Sequence, residues 1–102
     1  MPKTILLLGR KGIVVEDAKS KIDMPELIIL GGTCLEDVRK AFANNARIDH
    51  VFSGAGIDLD ARLEIVREIF TLSETTTVHL KDGGSGPQGF LPFVKGVLSG
   101  LE

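Results

Sequence analysis

The chain has 102 residues, 43% of them hydrophobic and 25% charged, with a formal net charge of -2; it reads as one globular α/β domain over residues 1–102, neither disordered nor divided. Charges of both signs are interspersed and there is no Trp or Tyr, which removes the basic field and stacking surface that nucleic acid needs and the cationic face that a membrane attracts. A single cysteine, no apolar stretch near the roughly 20 residues of a membrane span, and a Met1-Pro2-Lys3 start without a secretory pattern imply no internal disulfide, no span and a cytoplasmic location.

Taken in chain order, a short apolar run, a glycine-bearing loop and a helix-period segment recur four times. The runs are residues 4–8, 26–30, 48–52 and 75–80, each followed by glycines at 9 and 12, 31 and 32, 54 and 56, and 83, 84 and 86. Four such units predict a three-layer α/β/α domain with a parallel sheet and its loops gathered along one edge. Leu101-Glu102 reads either as the native end or as the scar of a tag.

The first strand, Thr4-Ile5-Leu6-Leu7-Leu8, is apolar on both faces and belongs in the centre. The first helix has Ile13, Val14, Ala18 and Ile22 as its inward stripe, and Asp23-Met24-Pro25 ends it because proline lacks an N–H. Leu27-Ile28-Ile29-Leu30 is a second two-sided strand. Thr33 and Glu36 then form a T-x-x-E capping box, with Leu35, Val38, Ala41 and Phe42 on one face of the second helix. After the third strand, Asp58 caps a helix whose buried stripe is Leu59, Leu63, Val66, Ile69 and Phe70, with Arg62, Glu64, Arg67 and Glu68 toward water. Thr75, Thr76 and Thr77 make the fourth strand too polar for burial on both faces, so it lies at an edge, open to pairing with a second copy as a homodimer. The last helix opens on an S-x-x-Q box, Ser85 to Gln88, and packs Phe90, Phe93, Val94, Val97 and Leu98 inward.

Right-handed crossovers with a central first strand and a fourth strand at the edge fit the flavodoxin-like order 2-1-3-4; order 3-2-1-4 is the alternative. In the first order the winding reverses between strands 1 and 3, and a ligand crevice opens between their loops. Gly9, Arg10, Lys11 and Gly12 on one side and Ser53, Gly54, Gly56 and Asp58 on the other offer close backbone approach, free helix N–H groups and two cations. These suit a phosphorylated metabolite or nucleotide. The same glycines also serve any tight strand-to-helix turn. Lys81 and Ser85 in the fourth loop reach toward a phosphate, or Ser85 only caps the last helix. No cofactor is named by any motif: neither the P-loop nor the dinucleotide fingerprint occurs at the end of strand 1.

Cys34, at the start of the second helix, is the candidate nucleophile and His79 its candidate base for a hydrolase or transferase. In order 2-1-3-4 their strands stand roughly 14 Å apart, so the pair requires the other order or two subunits. His50 lies lower on strand 3, away from the loops. Asp58, Asp60, Asp82 and Glu36 show no ligand spacing, and no metal site is assigned.

Residues 45–57, Asn45-Ala46-Arg47-Ile48-Asp49-His50-Val51-Phe52-Ser53-Gly54-Ala55-Gly56-Ile57, resemble the short-chain dehydrogenase segment in which G-R-I-D precedes a strand ending N-N-A-G. The resemblance implies that residues 53–56 support a nucleotide. Strand 1 ends Gly9-Arg10-Lys11-Gly12 where that family has T-G-x-x-x-G-x-G, and a chain without tyrosine cannot hold its Tyr-x-x-x-Lys pair. Met24-Pro25-Glu26-Leu27-Ile28-Ile29-Leu30 is similar to a strand of response-regulator receivers, which implies a receiver-shaped interaction module; strand 1 ends in Gly9-Arg10 and strand 3 in Ser53, so no phosphoacceptor is named.

Overall fold

A computed structural model describes residues 3–22, 24–45, 47–83 and 87–101. The elements are β1 (Lys3–Leu8), α1 (Gly12–Lys21), β2 (Leu27–Gly32), α2 (Leu35–Asn44), β3 (His50–Ser53), α3 (Leu59–Leu72), β4 (Thr77–Leu80), a 3-10 turn (Pro87–Gly89) and α4 (Phe90–Gly100). All strands are parallel, in the order β2-β1-β3-β4. This is the flavodoxin-like order, and the alternative 3-2-1-4 is set aside.

Alternation along the strands divides the core into two layers. Ile5 and Leu7 of β1 with Phe52 of β3 meet Val15, Ala18 and Ile22 from α1 and its C-cap, and Phe90, Val94 and Leu98 of α4. Leu6, Leu8 and Val51 meet Val38 of α2 and Ile65 and Ile69 of α3. The central place of β1 shows in its enclosure, since Ile5, Leu6, Leu7 and Leu8 are each 0% exposed.

Three helices seat differently from the sequence reading. In α1 the inward stripe is Val15, Ala18 and Ile22, while Ile13 is 78% exposed and Val14 lies outward. The reason is steric: a Cβ on Gly31 would stand 2.7 Å from Val15 Cγ1 and one on Gly9 2.9 Å from its Cγ2, so Val15 fills the space these glycines leave. In α2 the capping partner is Asp37, not Glu36. Its Oδ2 accepts the Thr33 N–H at 2.8 Å and the Thr33 hydroxyl at 3.2 Å, and Cys34 occupies the N-cap position. In α3 the buried residues are Ile65 and Ile69, with Arg62 half-buried and Leu59, Leu63 and Phe70 more than half exposed. The second strand lies at the edge that the order 2-1-3-4 gives it, but it is not covered on both faces as expected, since Ile28 is exposed.

The polar edge strand and the last helix follow the sequence reading. β4 closes the other side of the sheet, and Phe90, Val94 and Leu98 are buried with Phe93 and Val97 packed beside them. The S-x-x-Q box cannot be described, because Ser85 lies outside the described residues. Among the described residues no helix is long and apolar enough to cross a membrane.

Candidate functional site

The sheet register builds the site. Leu8 of β1 is level with Ser53 of β3, and Ser53 with Leu80 of β4. One residue further, Gly9, Gly54 and Lys81 stand side by side, held by the Gly54 N–H donating to the Leu8 carbonyl at 2.9 Å and the Lys81 N–H to the Ser53 carbonyl at 3.0 Å. The winding reverses between β1 and β3, so α1 and α3 leave on opposite faces and their loops part over the strand ends.

A cavity of about 430 Å³ lies in that parting, lined by Gly9, Arg10, Lys11, Val14, Gly54, Ala55, Gly56, Lys81, Gly83 and Phe90. The first and third loops touch: a Cβ on Gly56 would stand 3.0 Å from Arg10 Cβ. Glycine at position 56 is what lets the arginine stem lie against that turn. Phe90, at the start of α4, approaches Gly54 with its ring and supplies an apolar wall beside the exposed Val14.

Three cations border the cavity. Arg10 and Lys11 are exposed, and among the described residues neither forms an ion pair. Lys81 is only 3% exposed, and its Nζ donates to the Asp82 carbonyl at 3.0 Å. The Lys81 carbonyl in turn accepts the Arg62 Nη1 at 3.0 Å. Arg62, read from sequence as a solvated charge, therefore fixes the start of the fourth loop from below. Its inward position has no signal in the period of α3, because it stands one turn from Leu59 and Val66 on the flank toward β4, where the pattern reads as an apolar stripe.

Of the residues singled out by sequence, Gly9, Arg10, Lys11, Gly54, Gly56 and Lys81 converge on the cavity. Ser53 is buried in β3 beneath it, with its hydroxyl turned to the Gly54 carbonyl. Gly12 begins α1 and Asp58 is the N-cap of α3; neither lines the cavity. Val14, Ala55 and Phe90 join the lining without having been singled out, because an apolar cavity wall and a core position have the same sequence signature.

The proposed Cys34 and His79 pair does not form within one chain. Cys34 follows β2 at one edge of the sheet and His79 lies on β4 at the other, with β1 and β3 between them. Cys34 is exposed. His79 instead stacks on Phe52 at a centroid distance of 5.0 Å and shares the Thr77 hydroxyl with His50. No group of three or more His, Cys, Asp or Glu among the described residues is placed to hold a metal.

Compared with known protein families, curated proteins and solved structures, the chain matches none. The likeness of residues 45–57 to the dehydrogenase segment therefore has no family match behind it. The order β2-β1-β3-β4 also departs from the 3-2-1-4 order of dinucleotide-binding folds.

Proposed function

We propose that the cavity binds a small phosphorylated metabolite or nucleotide and holds it without transforming it. The observation that carries this reading is the convergence of Arg10, Lys11 and Lys81 on a glycine-walled cavity of about 430 Å³ at the point where the winding reverses. Guanidinium and ammonium groups recognise phosphate by charge-assisted hydrogen bonds. Phe90 and Val14 offer an apolar surface for a base or sugar face. Among the described residues that line it there is no carboxylate and no imidazole, which favours retention of a ligand over proton transfer to it.

Titration calorimetry with AMP, ATP, a hexose phosphate and inorganic phosphate tests the proposal. At least one organic phosphate is expected to bind more tightly than inorganic phosphate, and the Arg10→Ala/Lys11→Ala variant to lose that heat. No heat from any of the four at millimolar concentration overturns it.

A further inference from the structure

We infer that the ligand of this cleft is a phosphate ester whose organic part is apolar, an alkyl or isoprenyl phosphate rather than a sugar phosphate. This preference presupposes that the cleft binds phosphate, and it narrows what the phosphate carries. The N–H groups of the cleft floor and of the adjoining helix start are spent inside the fold. Gly9 donates to the Gly32 carbonyl at 3.2 Å, Gly54 to the Leu8 carbonyl at 2.9 Å, Lys81 to the Ser53 carbonyl at 3.0 Å and Val14 to the Lys11 carbonyl at 3.1 Å. The Ser53 hydroxyl beneath them is turned to the Gly54 carbonyl at 3.3 Å. Among the described residues, the side-chain polar groups of the lining are those of Arg10, Lys11 and Lys81. All three are cationic donors, which suit the oxygens of one anionic group and offer no acceptor to a hydroxyl.

The other side chains of the wall are hydrocarbon. Val14 is 40% exposed, Ala55 is half-buried, Phe90 closes the wall beside Gly54, and the Arg10 stem lies against Gly56. Val14 holds this open position because Val15, not Val14, fills the space left by Gly9 and Gly31. Ile13, 78% exposed in the same first turn of α1, adds apolar surface beside it. An apolar body laid on this wall takes carbon out of water on both sides, worth about fourfold in affinity for each fully buried methylene. A sugar in the same place turns its hydroxyls toward carbon. Each hydroxyl that gives up water without gaining a partner weakens binding by about tenfold. The cleft thus has a charged end for the phosphate and a carbon wall for its ester group, the division that an amphiphilic ester matches and a hydroxylated one does not.

Titration calorimetry of the full chain with methyl, butyl and hexyl phosphate, hexose 6-phosphate and inorganic phosphate tests the preference. Affinity is expected to rise about two- to fourfold per methylene from methyl to hexyl phosphate. Hexose 6-phosphate, with the same number of carbons as hexyl phosphate, should bind at least about tenfold more weakly than it. Val14→Ser, at a position open to solvent, should flatten the rise with chain length, and Arg10→Ala/Lys11→Ala should weaken the whole series. Flotation with phosphatidylcholine vesicles carrying phosphatidate distinguishes the source of the group: a chain that floats and is released by hexyl phosphate takes the ester from a bilayer, and one that stays in solution takes it free. Affinity that is level along the series, or hexose 6-phosphate bound as tightly as hexyl phosphate, overturns the preference and leaves the phosphate site standing. A rise that survives both variants overturns it as well, since the esters then adsorb elsewhere. No heat from any of these phosphates removes the site and the preference together.

Discussion

The Thr77 hydroxyl stands 2.6 Å from His50 Nδ1 and 2.8 Å from His79 Nε2. One hydroxyl proton serves only one of these nitrogens, so the ring that accepts it is neutral and the other ring donates to the Thr77 oxygen. Burial, above all, with the nearby Lys3 charge second, pushes the His50 pKa down, and burial pushes His79 down as well. In the unfolded chain both titrate near the ordinary value of about 6.5. The unfolded state thus binds more protons on acidification, and the stability these rings contribute is complete above about pH 6.5 and lost as pH falls through their lower folded values. The urea midpoint should therefore fall between pH 7 and pH 5 in the natural chain. It should fall less in His79→Gln; an equal slope would assign the loss to other groups. At the cleft, Arg10→Ala alone should weaken organic phosphate binding about tenfold, as expected for one charge-assisted hydrogen bond. Calorimetry checks the value, and unchanged affinity would remove Arg10 from the site.

Among the elements, α2 offers the sharpest contrast between what its sequence implies and how it is held. Thr33 and Glu36 have capping-box spacing, yet the Thr33 N–H and hydroxyl go to Asp37. That backbone bond is the main cause holding the Asp37 carboxyl below the usual carboxylate range. Asp37→Asn should cost about 1 kcal/mol, the usual worth of an N-terminal cap, whereas Glu36→Gln should change the urea-derived stability by less than about 0.5 kcal/mol. Equal losses would return the cap to Glu36. The period of α3 misled for a related reason. Residues 59, 63, 66 and 70 form a proper helical stripe, but an edge helix has two apolar flanks to distribute, and Ile65 and Ile69 win the sheet while Arg62 takes the Lys81 carbonyl. In α1 the decision rests with the strands: Gly9 and Gly31 leave the space that Val15 fills. Gly31→Ala, forcing a Cβ to within 2.7 Å of Val15, should destabilise by about 1–3 kcal/mol as overpacked sites do, measured by chemical denaturation.

At the scale of the whole molecule, strand order was legible because two independent signals agreed. β1 is apolar from Ile5 to Leu8, and three threonines, the last of them Thr77, lead into β4, which places one strand in the middle and one at an edge, and right-handed crossovers leave few orders to choose from. The location of the cleft followed from that order, since the register that pairs Leu8 with Ser53 and Ser53 with Leu80 delivers Gly9, Gly54 and Lys81 to one place. Its apolar wall was not legible, because Phe90 satisfies the core and the cavity with the same side chain. This double duty makes occupancy of the cleft and global stability inseparable: a ligand bound only by the folded chain at a hundred times its dissociation constant adds about 2.7 kcal/mol. For a domain of this size each kcal/mol is worth about 4–8 °C. An organic phosphate that binds the natural chain should thus raise its melting temperature by on the order of 10 °C at that excess, a conversion that holds for any ligand confined to the folded state. In Arg10→Ala/Lys11→Ala the same concentration should leave melting within about 3 °C of the ligand-free protein, as binding weakened a hundredfold requires. A rise of equal size in both proteins would show that the ligand stabilises the fold from somewhere other than this cleft.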